Sequence, residues 1–560
     1  MRIVVLSLFL LLAATAESVL AQTGGALIGK VVASDGAVDD QFGASVAISG
    51  ATAIVGAPGA SPEPSALHAG AAYIEQRDAS APNGWRQVAK LTASDRAADA
   101  AFGTSVSISG DTAVVGTERR TNDPGAAYSA AYVFSRHQGG TDAWGEVQQL
   151  LPHDAGATDG PVQFGASVAI DGDTIIVGAP YSRVVGDIDP ILLTRLGPGA
   201  AYVFRRASGS DTWQEVAKVM SGKTPCGGVP SPPCTYIDLF GQSVSLNGDT
   251  AAVGAIQPNQ KGFNLSGAAY VFERNRGGAE VWERTTELDV CPAPPGICGQ
   301  DVGTASHVAV NGDTAAGSAI GPGGLLSFFA RDQGGADAWG TVAVRRSGGD
   351  FPAGNSGTAD VAISGDLAIA SASTVRGAFV FAKNHGGANE WSPLFTLTVR
   401  DNSQTVVGRR VAIDGLTAIL GATKEFASEQ PGAAYICQLD ALDEQSACRT
   451  AQDLVNSNVS VDVTDTTCCQ QDQFVITATL TNTGATPLSS LGFKVTELTG
   501  GNLLVNADFG PAGVNGTLQV FPSSLAPGES RPVTFVIALT SQNPFRFVVD
   551  VRGVLGTASP

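Results

Sequence analysis

Charge is scarce in this 560-residue chain. Asp, Glu, Lys and Arg together make up 15%, and the 52 acidic residues outnumber the 33 basic ones. A formal net charge of −19 with so few cations excludes a phosphate-binding surface, and with it a nucleic-acid partner. Histidine is rare too: His68, His137, His153, His307 and His385 share no repeated spacing. No G-x-S-x-G nucleophile elbow, H-E-x-x-H zinc motif or glycine-rich loop opening a helix occurs, so no cofactor is implied. His307 sits in a strand-like run and reads as a packed residue. After the first 21 residues no apolar run is long enough to span a bilayer, which excludes a transmembrane anchor in the mature chain.

What is abundant is glycine, 69 residues, and apolar side chains, 43%. That apolar share excludes a disordered polymer, and frequent glycine favours short strands and turns over long helices. Residues 1–21 read as a secretory signal peptide. Arg2 supplies the positive charge, Ile3 to Ala14 the apolar core, and Val19 and Ala21 the small residues before a cut ahead of Gln22. Export to the periplasm, the cell surface or the medium follows. The eight cysteines suit an oxidising compartment. Cys226 with Cys234, and Cys291 with Cys298, flank Pro/Gly-rich loops and read as local disulfides. Cys437, Cys448, Cys468 and Cys469 allow three pairings, all left open, with Cys468-Cys469 placed between two strands.

The dominant signal is internal repetition. QFGASVAISGATAIVGAP begins at Gln41 and returns as AFGTSVSISGDTAVVGT, QFGASVAIDGDTIIVGAP and LFGQSVSLNGDTAAVGA from Ala101, Gln163 and Leu239. Three looser copies begin at Ser306, Thr358 and Gly408. Each copy holds two strand-like runs around a two-residue turn at Gly50, Gly110, Gly172, Gly248, Gly312, Gly365 or Gly415. A third run, such as GAAYVFR from Gly199, follows, and a fourth starts at a tryptophan. Trp85, Trp144, Trp213, Trp282, Trp339 and Trp391 account for all six, and the seventh unit has neither a Trp nor a fourth run. A spare run, Ala26 to Ala33, precedes the first unit. The arithmetic predicts an all-β, seven-bladed β-propeller of four-stranded blades over residues 22–440, with the opening run completing the last blade.

The FG…VGAP pattern resembles the FG-GAP repeat family, which builds the seven-bladed propeller of integrin α chains. The likeness is fullest in the first four units. In the last three the Phe-Gly pair becomes Thr304-Ala305, Gly357-Thr358 and Val407-Gly408. The resemblance implies a propeller and a binding or cell-adhesion role. Integrin-type calcium loops are not carried over, because a two-residue turn holding Asp111, Asp173, Asp249 or Asp313 cannot supply the six to eight oxygens calcium takes. Those residues read as turn formers. Ser45, Ser105, Ser167 and Ser243 recur in every strong unit and read as structural. The loop carboxylates Asp35, Asp39, Asp40, Asp95 and Asp99 read as solvated charges, with a weak cation site as the sharper alternative.

A polar linker, 441–455, leads to residues 456–560, where alternating runs separated by turn clusters predict an Ig-like β-sandwich. TNTG and LAPGE there resemble bacterial Ig-like adhesion and spacer domains. Strand alternation puts all variation in loop length on the face carrying the two-to-three and between-blade connections. Ile188, Ile191, Leu192 and Leu193, in the Tyr181–Gly199 insertion, are the ligand-face candidates. The expected function is therefore an exported, non-enzymatic binding protein for an extracellular protein or glycan. The alternatives are a secreted carbohydrate-active enzyme with channel-facing carboxylates and a structural surface component.

Overall fold

The computed structural model describes residues 26–439 and 459–555. Left out within these are 64–65, 82–83, 119–128, 156–160, 183–198, 223–238, 256–267, 291–302, 321–324, 347–357, 373–376, 385–388, 400–405, 424–430, 471–472, 484–487, 499–502, 505–516, 521–524 and 539–546. Ala21, Cys226, Cys234, Cys291, Cys298, Cys448 and the four ligand-face candidates from Ile188 to Leu193 lie outside the described residues.

Seven four-stranded antiparallel sheets follow one another along the chain. Blade 1 is Ser45–Ser49, Thr52–Ala57, Ala71–Arg77 and Trp85–Leu91, in that order from the centre outward. The second strand of this blade is buried at every residue and the third at its first five. Both are clamped between neighbouring blades, which explains their unbroken Ala/Val/Ile/Tyr runs. The fourth strand is buried only at its two ends, Trp85 and Leu91, and is half-buried or exposed between them, as suits a rim strand. Trp85, Trp213, Trp282 and Trp391 open their fourth strands, while Trp144 and Trp339 stand one residue before theirs.

Blade 7 consists of Val406–Asp414, Thr417–Thr423 and Ala433–Gln438, and its outermost strand is Ala26–Val31 from the start of the chain. The ring is closed a second time at its centre. The residue before each turn glycine offers a side-chain oxygen to the turn glycine N–H of the next blade. Ser49 serves Gly110 and Ser109 serves Gly172, both at 3.1 Å; Asp171 serves Gly248 at 2.6 Å and Asn247 serves Gly312 at 2.8 Å. Asn311 serves Gly365 at 3.1 Å, Ser364 serves Gly415 at 2.9 Å, and Asp414 returns to Gly50 of blade 1 at 2.5 Å. The Ser, Asp or Asn before each glycine thus satisfies a backbone donor one blade on.

The repeat signature is a latch between blades. Gly103 has φ +93°, and a Cβ there would stand 2.4 Å from the Ala71 carbonyl oxygen of blade 1; Gly43, Gly165 and Gly241 repeat this against Ala433, Ala130 and Ala200. The backbones of adjacent blades approach too closely for any side chain. Phe42, Phe102, Phe164 and Phe240 beside these glycines are fully or almost fully buried, each meeting Tyr73, Tyr132, Tyr202 or Tyr270 at 5.4–5.5 Å between ring centroids. Another regularity lies hidden in the sequence. In blades 1 to 6 the pairing of third and fourth strands shifts register, as at Val133/Phe134 and Val203/Phe204, a repeated bulge that adds twist.

A second compact unit is built chiefly from Ala447–Pro560. One antiparallel sheet there orders Val459–Gln470, Gln473–Asn482, Ser530–Ala538 and Leu503–Leu504; the other orders Thr517–Val520, Leu488–Leu498 and Phe547–Leu555. Cys468 and Cys469 fall inside the first of these strands and not in a connection after it. Alternation carries on through Thr466-Thr467, so the strand runs further than its turn-like Thr/Cys/Gln end suggests.

Candidate functional site: the central channel and its uneven mouth

The seven innermost strands line a channel with a cavity volume of about 480 Å³. Its wall at mid-height is Ala47, Ser107, Ala169, Ser245, Ala309, Ala362 and Ala412. Small residues are required there, because Ser107 and Ser245 also accept hydrogen bonds from Ile170 and Val310 of the next blade, at 3.1 and 3.0 Å. The other positions leave room at the axis.

Five residues before each turn glycine stands a residue of the innermost strand toward the face of the between-blade connections, and in blades 1 to 4 it opens that strand. In blades 1 to 4 this position is Ser45, Ser105, Ser167 and Ser243. Three of these hydroxyls donate to the latch-glycine carbonyl of the next blade: Ser45 to Gly103 and Ser105 to Gly165 at 2.7 Å, and Ser167 to Gly241 at 2.8 Å. Blade 5 has Thr304-Ala305 in place of Phe-Gly, and Ser243 Oγ, buried, has no hydrogen-bond partner among the described residues. From there the ring changes chemistry. The same position holds His307 in blade 5, Asp360 in blade 6 and Arg410 in blade 7, all three half-buried on the channel wall.

These three are brought together by the fold from residues far apart in sequence. Arg410 Nη1 reaches past blade 6 and donates to His307 Nε2. Burial, and then the neighbouring guanidinium, hold the His307 imidazole well below its ordinary value. The ring is therefore neutral, with its Nε2 lone pair committed to Arg410. Asp360 spans blades 6 and 7: Oδ1 accepts from Val361 N and Oδ2 from Val411 N, both at 3.0 Å, while its own N–H donates to Ser371 Oγ at 2.7 Å. Burial raises Asp360 above the usual carboxylate value, partly offset by Arg410. The arrangement can hold an anion and orient hydroxyl groups. His307 is poorly placed as a general base, because its unprotonated nitrogen is already occupied. His307, read from the sequence as packed and not catalytic, stands half-buried on the channel wall and is engaged by Arg410. The signal was available, since the serine column of the repeats breaks at that residue.

The turn aspartates have a second role that turn chemistry alone did not disclose. Asp173 accepts from Arg206 at 2.6 Å, Asp249 from Arg274 at 2.7 Å and Asp313 from Arg331 at 2.8 Å, with Asp111 and Arg136 at 3.4 Å. Arg77, Arg206 and Arg331 lie over Trp85, Trp213 and Trp339 at 5.2–5.5 Å. Blades 3 and 5 combine the two contacts into an Asp–Arg–Trp corner, which fixes the tryptophan at the start of the fourth strand there. The loop carboxylates are engaged too. Asp35, Asp95 and Asp154 accept the hydroxyls of Tyr73, Tyr132 and Tyr202, at 2.9, 2.6 and 3.1 Å. Asp40 accepts from Ala37 N at 2.8 Å, and Asp99 lies 3.3 Å from His68. Among the described residues no group of three or more His, Cys, Asp or Glu is set to hold a metal ion, and no helix is long and apolar enough to cross a membrane. His137 and His153 are exposed beside Asp111 and Glu215. Cys437 is fully buried and disulfide-bonded.

The FG-GAP repeat model matches residues 27–74, 85–134, 144–204 and 237–272, ending in blade 4 where the Phe-Gly pairs end. No curated protein matches the chain. Among solved structures, the Cps50 (Swd1) β-propeller domain of Myceliophthora thermophila is similar at 9% identity and a TM-score of 0.42, over 74% of this chain and 100% of that one. Sqt1 of Chaetomium thermophilum is similar at 13% and 0.36, over 81% and 97%. A Bacteroides uniformis protein described as a 6-phosphogluconolactonase is similar at 12% and 0.36, over 63% and 83%. These likenesses are too distant to transfer a substrate or a partner. Residues 27–272 thus match FG-GAP repeats in four segments, and the blades built between residues 26 and 439 form an all-β propeller of seven four-stranded sheets.

Proposed function

We propose that the chain is an exported, non-enzymatic binding protein that recognises an extracellular protein or glycan with the face bearing the two-to-three and between-blade connections. The observation that carries this reading is the sorting of loops by strand order. The connections containing 119–128, 183–198, 223–238, 256–267, 291–302 and 347–357 all leave the sheets on that one face. The opposite face offers two-residue turns and compact Asp–Arg–Trp corners. Loop variation on a rigid scaffold is the usual basis of recognition. The mouth holding His307, Asp360 and Arg410 opens on the same side.

In this reading the signal peptide ends at Ala21 and disulfides tie Cys226 to Cys234 and Cys291 to Cys298. The two antiparallel sheets after the linker form an Ig-like spacer or second contact. The alternative of a carbohydrate-active enzyme draws on Asp360 at the channel. It is disfavoured by the engaged His307 nitrogen, with Glu118 the other carboxylate lining the channel among the described residues. Replacing the Tyr181–Gly199 insertion with a short turn, then screening a glycan array and a panel of envelope proteins against both forms, tests the proposal. Binding lost in the shortened form, with no product released from the bound glycans, is the expected result. Unchanged binding refutes the face assignment, and turnover refutes the non-enzymatic reading.

A further inference from the structure

The departure of the ring from seven-fold sameness at one level of the channel is the most specific chemical feature of the molecule. Serine at this position is self-sufficient when the next blade presents a latch glycine. Blades 5 to 7 have given up the phenylalanine of the Phe-Gly pair, although blade 7 keeps the close backbone approach through Gly408, where a Cβ would stand 2.1 Å from the Gly377 carbonyl oxygen. They carry instead three side chains that cost more to bury, of which one is a cation. Repeats drift toward neutral residues when a position is unimportant. A guanidinium, an imidazole and a carboxyl at three equivalent positions are the reverse of such drift.

We infer that the channel mouth between blades 4 and 7 is a binding subsite for a small hydroxylated carboxylate, a sugar acid, held with its carboxylate on Arg410 and its hydroxyls toward Ser243 and the Ser/Ala wall. The proposal deepens the binding reading above by naming the chemistry of one subsite on the same face. Three features select this ligand class. Arg410 gives His307 one N–H, and among the described residues no other hydrogen bond or ion pair holds the rest of its planar fork, which matches a carboxylate in two-point geometry. Ser243 Oγ, buried with no partner among the described residues, lines the same wall and suits a hydroxyl. The cavity, about 480 Å³, lies in the usual range for small-molecule sites. The protein's net charge of −19 works against a polyanion and tolerates a single negative charge placed on a single arginine. His307 serves as a positioning residue, fixing the guanidinium across the opening.

The test is calorimetric titration of the full mature chain with D-glucuronate, using D-glucose and acetate as controls for charge and for hydroxyls. The variants are Arg410→Ser and His307→Ser, which restore the residue that blades 1 to 4 already tolerate, so folding is expected to survive; thermal melts verify it. Arg206→Gln, on the opposite face, is the control substitution. The expected result is saturable glucuronate binding, at least about tenfold weaker for glucose and for acetate. Arg410→Ser is expected to lose it, His307→Ser to weaken it, and Arg206→Gln to leave it unchanged. Rescue by Arg410→Lys of charge but not of full affinity supports the two-point contact. Equal affinity for acetate, equal affinity for glucose, or no glucuronate binding to the unmodified chain overturns the inference. Failure here leaves the loop-shortening experiment unaffected, so the subsite and the wider face are judged separately.

Discussion

Glu75 is the residue whose chemistry is most at odds with its place. Blades 2, 3 and 4 carry Phe134, Phe204 and Phe272 at the equivalent point of the third strand, meeting the latch phenylalanines at 5.9–6.1 Å edge-on. In blade 1 a glutamate stands there instead, 2% exposed, with Oε1 lacking a hydrogen-bond partner among the described residues. Burial pushes its carboxyl up to about 8 from an ordinary 4.5. A raised folded-state value means the protonated form is the one that fits. The stability it permits is complete below 4.5 and drains away as pH rises toward about 8, at up to about 1.4 kcal/mol per pH unit. Glu75→Phe is therefore expected to raise the unfolding free energy by about 2 kcal/mol or more near neutrality and to remove that slope. Denaturant titrations at acid, neutral and mildly alkaline pH measure it, and an equal slope in both proteins contradicts the assignment. Glu75 was legible as a break in the Phe column. Its burial was not, because a strand-end glutamate in isolation reads as a solvated residue.

At the scale of the element, glycine has two jobs that sequence alone cannot separate. Gly110 and its six counterparts make the innermost turn, with φ near +55° and open space where a side chain would go; Gly103, Gly43, Gly165 and Gly241 have φ above +90° and a neighbouring carbonyl in the way. The consequences should differ. Gly110→Asn is expected to cost less than about 1 kcal/mol, since Asn tolerates the left-handed turn. Gly103→Ala should cost about 3 kcal/mol or more, because a blade must move to admit one methyl group. Chemical denaturation of the two variants checks this, and equal losses contradict the latch. The strands themselves, and their two-residue turns, were plain from alternation and from the Ser/Asp/Asn-Gly pairs. The bulge shared by the third and fourth strands was not, since it leaves no fixed residue type behind.

At the scale of the whole molecule, seven repeats and six tryptophans were enough to predict the architecture. Counting strands exposes a missing one at the end and a spare one at the start. The site was only half legible. Four serines in register were visible, but their conversion into His307, Asp360 and Arg410 acquires meaning only when the ring brings blades 5, 6 and 7 around one opening. No linear spacing encodes that convergence. Both the channel and the single loop-bearing face depend on a closed ring, and closure depends on Ala26–Val31 pairing with Ala433–Gln438 as the rim of blade 7. Hydrogen–deuterium exchange of the mature chain tests that pairing directly. The ring predicts slow exchange across 26–31, matching the protection of Ala433–Gln438. Exchange of 26–31 at the rate of an unstructured peptide, while the seven sheets remain protected, would contradict it.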